Sequence, residues 1–108
     1  MQIGNTELYQ IRSGKINPYQ DRADIFVKLE SQNPTKSIKD RMVHYVVSKA
    51  KSTSPGETTF VSASSGNTGT SLAYFCKKFN FKCIIVTNTK CSEEKINACK
   101  EHGAKVIV

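Results

Sequence analysis

The chain reads as an α/β protein, a parallel sheet wound by helices in three layers. Three observations carry that reading. After Pro34 the pattern runs helix, strand, helix, strand, helix, strand, the order that right-handed crossovers turn into a parallel sheet. The segment Lys82 to Thr87 holds the near-continuous apolar run Cys83-Ile84-Ile85-Val86, which suits a parallel strand buried on both faces. The helical segments are punctuated by Pro34, Ser54-Pro55-Gly56, Ser92 and Gly103, residues that start or stop helices.

Taken in order, Leu8 to Ile11 is a short apolar stretch. Arg12 to Arg22 is polar, contains Gly14 and Pro18, and reads as a turn or loop. Asp24 to Leu29 has the β-branched and aromatic composition of a strand. A helix is expected from about Ser37 to Ser52, because Ile38, Met42, Tyr45, Val46 and Ala50 recur at three- and four-residue spacing on one face. Thr58 to Ala63 reads as a strand. From Thr68 the helical period returns, with Leu72, Phe75, Cys76 and Phe79 as its stripe. Ser92 is the expected N-cap of a third helix, and Glu93 and Glu94 put negative charge at its positive end. Ile96 and Cys99 supply its buried side, and Gly103 stops it. Ala104 to Val108 begins a further strand. The whole of 1–108 is read as one incomplete α/β unit: strands and a loop over 1–33, then the alternating part over 34–108. A terminal apolar strand with no helix after it suggests part of something larger, or a module completed by a partner.

A length of 108 residues bounds the chain to one domain with a modest core. No apolar run approaches the roughly 20 residues of a membrane span, and no basic-then-apolar leader opens the sequence. A cytoplasmic protein is expected, with no membrane partner. Cys76, Cys83, Cys91 and Cys99 form no CxxC pair, and neither His44 nor His102 completes a metal-ligand pattern. Reduced thiols and no metal are expected. The net charge of +7 admits nucleic-acid binding. The lysines are scattered, though, and no aromatic ladder accompanies them, which argues against that reading.

Two segments carry chemistry. Ser64-Ser65-Gly66-Asn67-Thr68-Gly69 lies between a strand and a helix. Open α/β sheets bind ligands at such turns, where unpaired N–H groups attract an anion. Ser64, Ser65 and Thr68 add hydroxyls, Asn67 an amide, and Gly66 and Gly69 close approach. A carboxylate or phosphate fits; so does a serine-rich turn with a good N-cap. Lys39 falls in the first turn of its helix. The positive end of the helix disfavours an ammonium there and so favours the free amine that Schiff-base formation needs. A solvated lysine beside an Asp40/Arg41 pair is the plainer alternative.

The motifs taken together are more specific. Ile3-Gly4-Asn5-Thr6 with Leu8, Lys28-Leu29-Glu30 through Asn33-Pro34-Thr35, Ser37-Ile38-Lys39-Asp40-Arg41, Ser65-Gly66-Asn67-Thr68-Gly69, Glu94-Lys95 and Gly103-Ala104-Lys105-Val106-Ile107 occur in this order. The set resembles the cysteine synthase and cystathionine β-synthase family, fold-type II enzymes dependent on pyridoxal 5'-phosphate, over essentially the whole chain. The resemblance implies that 34–108 is the small domain of that fold and that the two N-terminal strands pack on a second domain. It implies Lys39 as the residue holding the cofactor and shuttling a proton at Cα. Asn67 is implied as the partner of the cofactor's ring oxygen. Ser64, Ser65, Gly66 and Thr68 are implied as the loop taking the substrate α-carboxylate. The implied chemistry is β-replacement on an activated serine, of the kind that makes cysteine from O-acetylserine. The cofactor would be the electron sink and a thiol or sulfide the nucleophile.

Two departures stand out. Lys36 occupies a position where the family usually has glycine, and Val61-Ser62-Ala63-Ser64 replaces an acidic-proline-threonine lead-in. The family's second domain carries a glycine-rich phosphate loop, and only Gly66 and Gly69 cluster here. The resemblance therefore implies activity only with further polypeptide, whether a complementing chain or self-association. The alternatives are a non-catalytic binding module and, behind it, a basic nucleic-acid-binding domain.

Overall fold

A computed structural model describes residues 2–12, 23–54, 56 and 58–108. The loop expected at 12–22 lies, apart from Arg12, outside them. Strand β1 (Leu8–Ile11) pairs antiparallel with β2 (Ile25–Lys28), Leu8 opposite Lys28 and Ile11 opposite Ile25. Helix α1 (Lys39–Thr53) follows, then β3 (Thr59–Ala63), α2 (Asn67–Lys78), β4 (Lys82–Val86), α3 (Glu93–Glu101) and β5 (Lys105–Ile107). Strands β3, β4 and β5 form a second, parallel sheet with β4 in the middle. The α/β class and the parallel sheet are as the alternation predicts. The first helix starts at Lys39 rather than Ser37, and α2 starts at Asn67. Ser92 caps α3, its hydroxyl accepting the Lys95 N–H, and Gly103 ends it at φ +83°, a conformation natural to glycine.

The core lies where α2 meets the parallel sheet. Leu72, Ala73, Phe75 and Cys76 from α2 pack with Phe81, Cys83, Ile85, Cys99 and Ala104. The register places Phe60 beside Cys83, Ser62 beside Ile85, and Ile85 beside Val106, so these rows share the covered face. The other face is open: Val61 is 64%, Val86 38% and Ile107 43% exposed. The run Cys83-Ile84-Ile85-Val86 is therefore buried on one face, not two. Successive crossovers in the same direction put α2 and α3 on the same side of the sheet, and no described residue covers the other.

Helix α1 departs further from expectation. Ile38, Met42, Tyr45 and Val46 do share a face, but it turns outward, at 57%, 52%, 62% and 47% exposure. The inward side is Asp40, Val43 and Val47, with Ala50 half-buried against the core. The reason is the way α1 meets α2. Ser71 donates to Asp40 at 2.6 Å, and the His44 ring meets Phe75 edge-on at 5.4 Å. Both pairs are 31 residues apart, so the two helices run parallel, with the start of α1 level with the second turn of α2. The stripe that touches α2 begins at Asp40, and the apolar row is left outside it.

The N-terminal segment is tied to α1 through Glu30. Its carboxylate receives Nε and Nη2 of Arg41, both at 2.8 Å, the Thr6 hydroxyl at 2.7 Å and the Asn33 amide at 2.7 Å. Gly4, at φ +73°, donates its N–H to Asn33 Oδ1 at 2.8 Å, and a Cβ there would stand 2.8 Å from Arg41 Nη1. Arg41 thus serves Glu30, not its neighbour Asp40. The Arg41 guanidinium, then the Thr6 hydroxyl, hold the Glu30 carboxyl down from 4.5 to about 2. Because the folded value is the lower one, the stabilisation is complete above pH 4.5 and fades as the pH falls toward 2. Glu30→Gln should flatten the loss of stability across that window when urea unfolding is followed by circular dichroism. Superimposable acid profiles would show that Glu30 contributes nothing to it.

The four cysteines are free. Cys76 and Cys83 are buried neighbours, and the hydrogen bond between their thiols, with burial, pushes Cys76 up. No helix among the described residues is long and apolar enough to cross a membrane.

Candidate active site

Strand β3 ends at Ala63 and the chain turns through Ser64–Gly66 into α2. The Ser64 N–H donates to the Val86 carbonyl at 2.9 Å, which hangs the loop on the end of β4. The Ser64 hydroxyl oxygen accepts the N–H of Gly66 at 3.2 Å and of Gly69 at 2.9 Å. Ser64 therefore caps α2 from three residues ahead of the helix. Thr70 donates to the Gly66 carbonyl, and among the described residues this leaves the Asn67 and Thr68 N–H groups as the free donors of the first turn. Ser65 is exposed and its carbonyl accepts Cys91 Sγ at 3.5 Å. Gly69 is buried because space demands it: a Cβ there would lie 3.1 Å from Ser64 Oγ and 3.3 Å from Ile85 Cγ2.

Lys39 is the first residue of α1 and is exposed. Ile38 gives that helix no side-chain cap. The next residue, Asp40, is fully buried. Its carboxyl accepts the Thr35 N–H at 2.7 Å, the Thr35 hydroxyl and the Ser71 hydroxyl at 2.6 Å. Ser71 lies one turn beyond Asn67. The Asp40–Ser71 bond therefore fixes the starts of α1 and α2 side by side, so Lys39 and the segment Ser64–Thr68 share one edge of the fold. No hydrogen bond joins Lys39 to that loop among the described residues; the joint is one residue on. The solvated Asp40/Arg41 pair of the plainer reading is absent, since Asp40 is inside and Arg41 turns to Glu30.

Lys36 stands at φ +64° in the turn that precedes α1, donating its N–H to the Asn33 carbonyl at 2.9 Å. For a residue with a Cβ that conformation costs about 1–2 kcal/mol. Glycine takes it freely, which accounts physically for a glycine preference at this position.

The sequence reading missed three residues. Thr87, Cys91 and Lys95 line a crevice with Ser64, Ser65 and Gly66. Thr87 Oγ1 is buried there without a hydrogen-bond partner. Lys95 Nζ donates to Asn67 Oδ1 at 3.4 Å and would stand 3.5 Å from a Cβ on Gly66. The signal that could have found them is topological: they follow β4, the neighbour of β3, and ligand sites gather at the carboxyl ends of adjacent parallel strands.

A sequence model of the family described as pyridoxal-phosphate dependent enzyme matches residues 1–108. The chain belongs to this family. Among curated relatives, a cysteine synthase of Staphylococcus aureus (strain N315) is 36% identical over 110 residues, covering 98% of this chain and 34% of that protein. A cystathionine beta-synthase of Apis mellifera is 36% identical over 108 residues, covering 97% of this chain and 21% of that protein. Among solved structures, a hydrogen sulfide-producing enzyme from Fusobacterium nucleatum superposes with a TM-score of 0.82 at 36% identity, over 97% of this chain and 34% of that one. An O-acetylserine dependent cystathionine beta-synthase from Helicobacter pylori gives 0.81 at 32%, over 97% and 35%. The chain thus spans about a third of the length of the cysteine synthase it matches.

The groups on this edge fit one end of the family's cofactor. An exposed primary amine suits its carbonyl. Because Lys95 engages Oδ1 of Asn67, the Asn67 Nδ2 is left to donate to a ring oxygen. The buried Thr87 hydroxyl, without a partner among the described residues, opens on a crevice of about 10 Å³, room for a single water at most.

Proposed function

We propose that the chain is the lysine- and substrate-loop-bearing part of a cysteine synthase-type enzyme that catalyses β-replacement on an activated serine. The observation that carries this is the Asp40–Ser71 bond at 2.6 Å, which sets the Lys39 turn and the Asn67 turn on one edge. On this reading Lys39 would hold pyridoxal 5'-phosphate through Nζ, and Asn67 would hydrogen-bond its ring oxygen. When bound, the cofactor supplies an electron sink for charge developing at Cα.

The rest falls to the protein's own groups. The Asn67 and Thr68 N–H groups and the Ser65 and Thr68 hydroxyls bind the α-carboxylate at the positive end of α2. Gly66 lets the carboxylate approach the backbone, Ser64 shapes the loop, and Lys95 adds a cation beside it. Lys39 Nζ moves the proton at Cα. The β-substituent leaves and a thiol or sulfide takes its place. The phosphate is assigned to further polypeptide, a reading supported by the one-third span relative to cysteine synthases. The outward α1 face and the open sheet face are where that polypeptide, or a second copy, would pack. The four free cysteines favour the cytoplasm.

The test is covalent trapping. The chain is mixed with pyridoxal 5'-phosphate, reduced with borohydride and mapped by mass spectrometry. Lys39 should carry most of the label, and Lys39→Ala should fall to background. A folded chain labelled evenly over its surface lysines would overturn the assignment. Sedimentation of the same samples reads the packing claim: the apparent mass should rise with concentration, or on adding the remaining two thirds of a cysteine synthase, and a monomer in both cases would contradict it.

A further inference from the structure

We propose that Asp40 is a positioning residue, the joint that holds the turn bearing Lys39 at a fixed distance and rotation from the turn bearing Asn67. The inference rests on the reading of Lys39 and Asn67 as one site.

Aspartate is seldom fully buried unless its oxygens are satisfied. Among the described residues no cation serves it, and Arg41 is committed to Glu30 through two bonds of 2.8 Å. The three donors to Asp40 come instead from two places. Thr35 gives its N–H and its hydroxyl from the loop leading into Lys39, and Ser71 gives its hydroxyl from α2. Packing alone does not call for such an arrangement. Val43 and Val47, 3% and 0% exposed, already bury the contact between the helices further along, and apolar contacts tolerate sliding and rotation because dispersion is non-directional. Three hydrogen bonds converging on one carboxyl do not tolerate it, since they weaken steeply with angle. The joint is also placed where it matters most. It sits in the first turn of α1, where the Ser37 hydroxyl accepts the Lys39 N–H at a long 3.3 Å, and the two bonds that Thr35 donates to Asp40 tie the preceding loop to that turn. One residue upstream is Lys39; one turn upstream of Ser71 is Asn67.

The distinguishing experiment pairs Asp40→Asn with Ser71→Ala, each read in two ways. In the first, trapping with pyridoxal 5'-phosphate and borohydride gives the label at Lys39 relative to Lys95 and Lys49 in the same sample, a ratio that a general loss of stability does not move. In Asp40→Asn it should drop about tenfold, equivalent to about 1.4 kcal/mol, and in Ser71→Ala by a smaller factor, while circular dichroism keeps the parent spectrum. In the second, amide hydrogen exchange is followed residue by residue without any cofactor. Protection should fall about tenfold at Val43, Thr70 and Ser71, within the first two turns of the two helices, and stay within twofold in β4 and at the end of α2.

An unchanged labelling ratio in a folded Asp40→Asn would overturn the proposal. So would equal loss of protection throughout the chain, which is the signature of a merely structural residue. If Asp40→Asn does not fold, Ser71→Ala, which leaves the carboxyl two of its three bonds, decides on the same criteria. If the parent chain shows no preference for Lys39, the reading of the site fails, while the exchange pattern still reports on the joint.

Discussion

Phe75→Ala is expected to remove about 3–5 kcal/mol of stability. Phe75 is fully buried at the centre of the core, on the face of α2 that meets both the sheet and α1. Its ring touches His44 edge-on at 5.4 Å and stands at 87° to Tyr74 at 5.0 Å, arrangements that add to the burial term. Truncation loses the transferred surface and leaves a cavity walled by three elements that cannot all close in. Domains of this size hold about 5–15 kcal/mol in total, and a sheet covered on one face belongs at the low end. The variant should melt about 12 °C or more below the parent, with a lower urea midpoint and an unchanged slope. A shift below about 4 °C, the yield of roughly 1 kcal/mol, would mean that the core is not centred on this ring.

Gly69→Ala tests the loop at the opposite end of α2. Alanine in a helix gains about 1 kcal/mol over glycine, so on propensity alone the change should stabilise. Space decides otherwise. The new methyl would lie 3.1 Å from Ser64 Oγ, 3.2 Å from Ser64 Cβ and 3.3 Å from Ile85 Cγ2. Ile85 is 2% exposed and cannot retreat, so Ser64 must. Moving Ser64 weakens a cap worth about 0.5–2 kcal/mol, and crowding a packed site costs about 1–3 kcal/mol. The net expectation is a loss of about 1–2 kcal/mol, together with faster hydrogen exchange at Gly66 and at residue 69 itself, whose N–H groups Ser64 receives. A rise in melting temperature would show that propensity outweighs the crowding.

Much of this architecture was legible in the residues. Ser92, Gly103 and the alternation after Pro34 announced their elements because each acts locally. Lys39 and the Ser64–Gly69 loop stand out through spacing and resemblance, and the structure adds their positions at the starts of α1 and α2. What escaped depends on pairs far apart in the chain. The stripe Ile38, Met42, Tyr45 and Val46 has the right period for a buried face, but periodicity does not say which neighbour a helix meets. The neighbour here is met through Asp40, a residue that hydropathy assigns to the surface. The doubly buried reading of Cys83-Ile84-Ile85-Val86 failed for a similar reason: composition reports the tolerance of a strand for burial, not the presence of a second layer. Thr87 and Lys95 escaped because nothing local distinguishes them. They line the crevice beside the Ser64–Gly66 loop only because β4 lies beside β3.

The parallel arrangement of α1 and α2 has an electrostatic consequence. Each helix carries the equivalent of about half a positive elementary charge at its start. Antiparallel neighbours would cancel; these two begin side by side and add. The second has no acidic residue in its first turn, and the first has only Asp40. The Asp40 carboxyl, buried between the two starts, offsets that sum, so the helices' positive ends serve to hold a buried acid. The exposed positive charge left near these starts is that of Lys39 and Lys95, two of the cations behind a net charge of +7, and it would favour small anions.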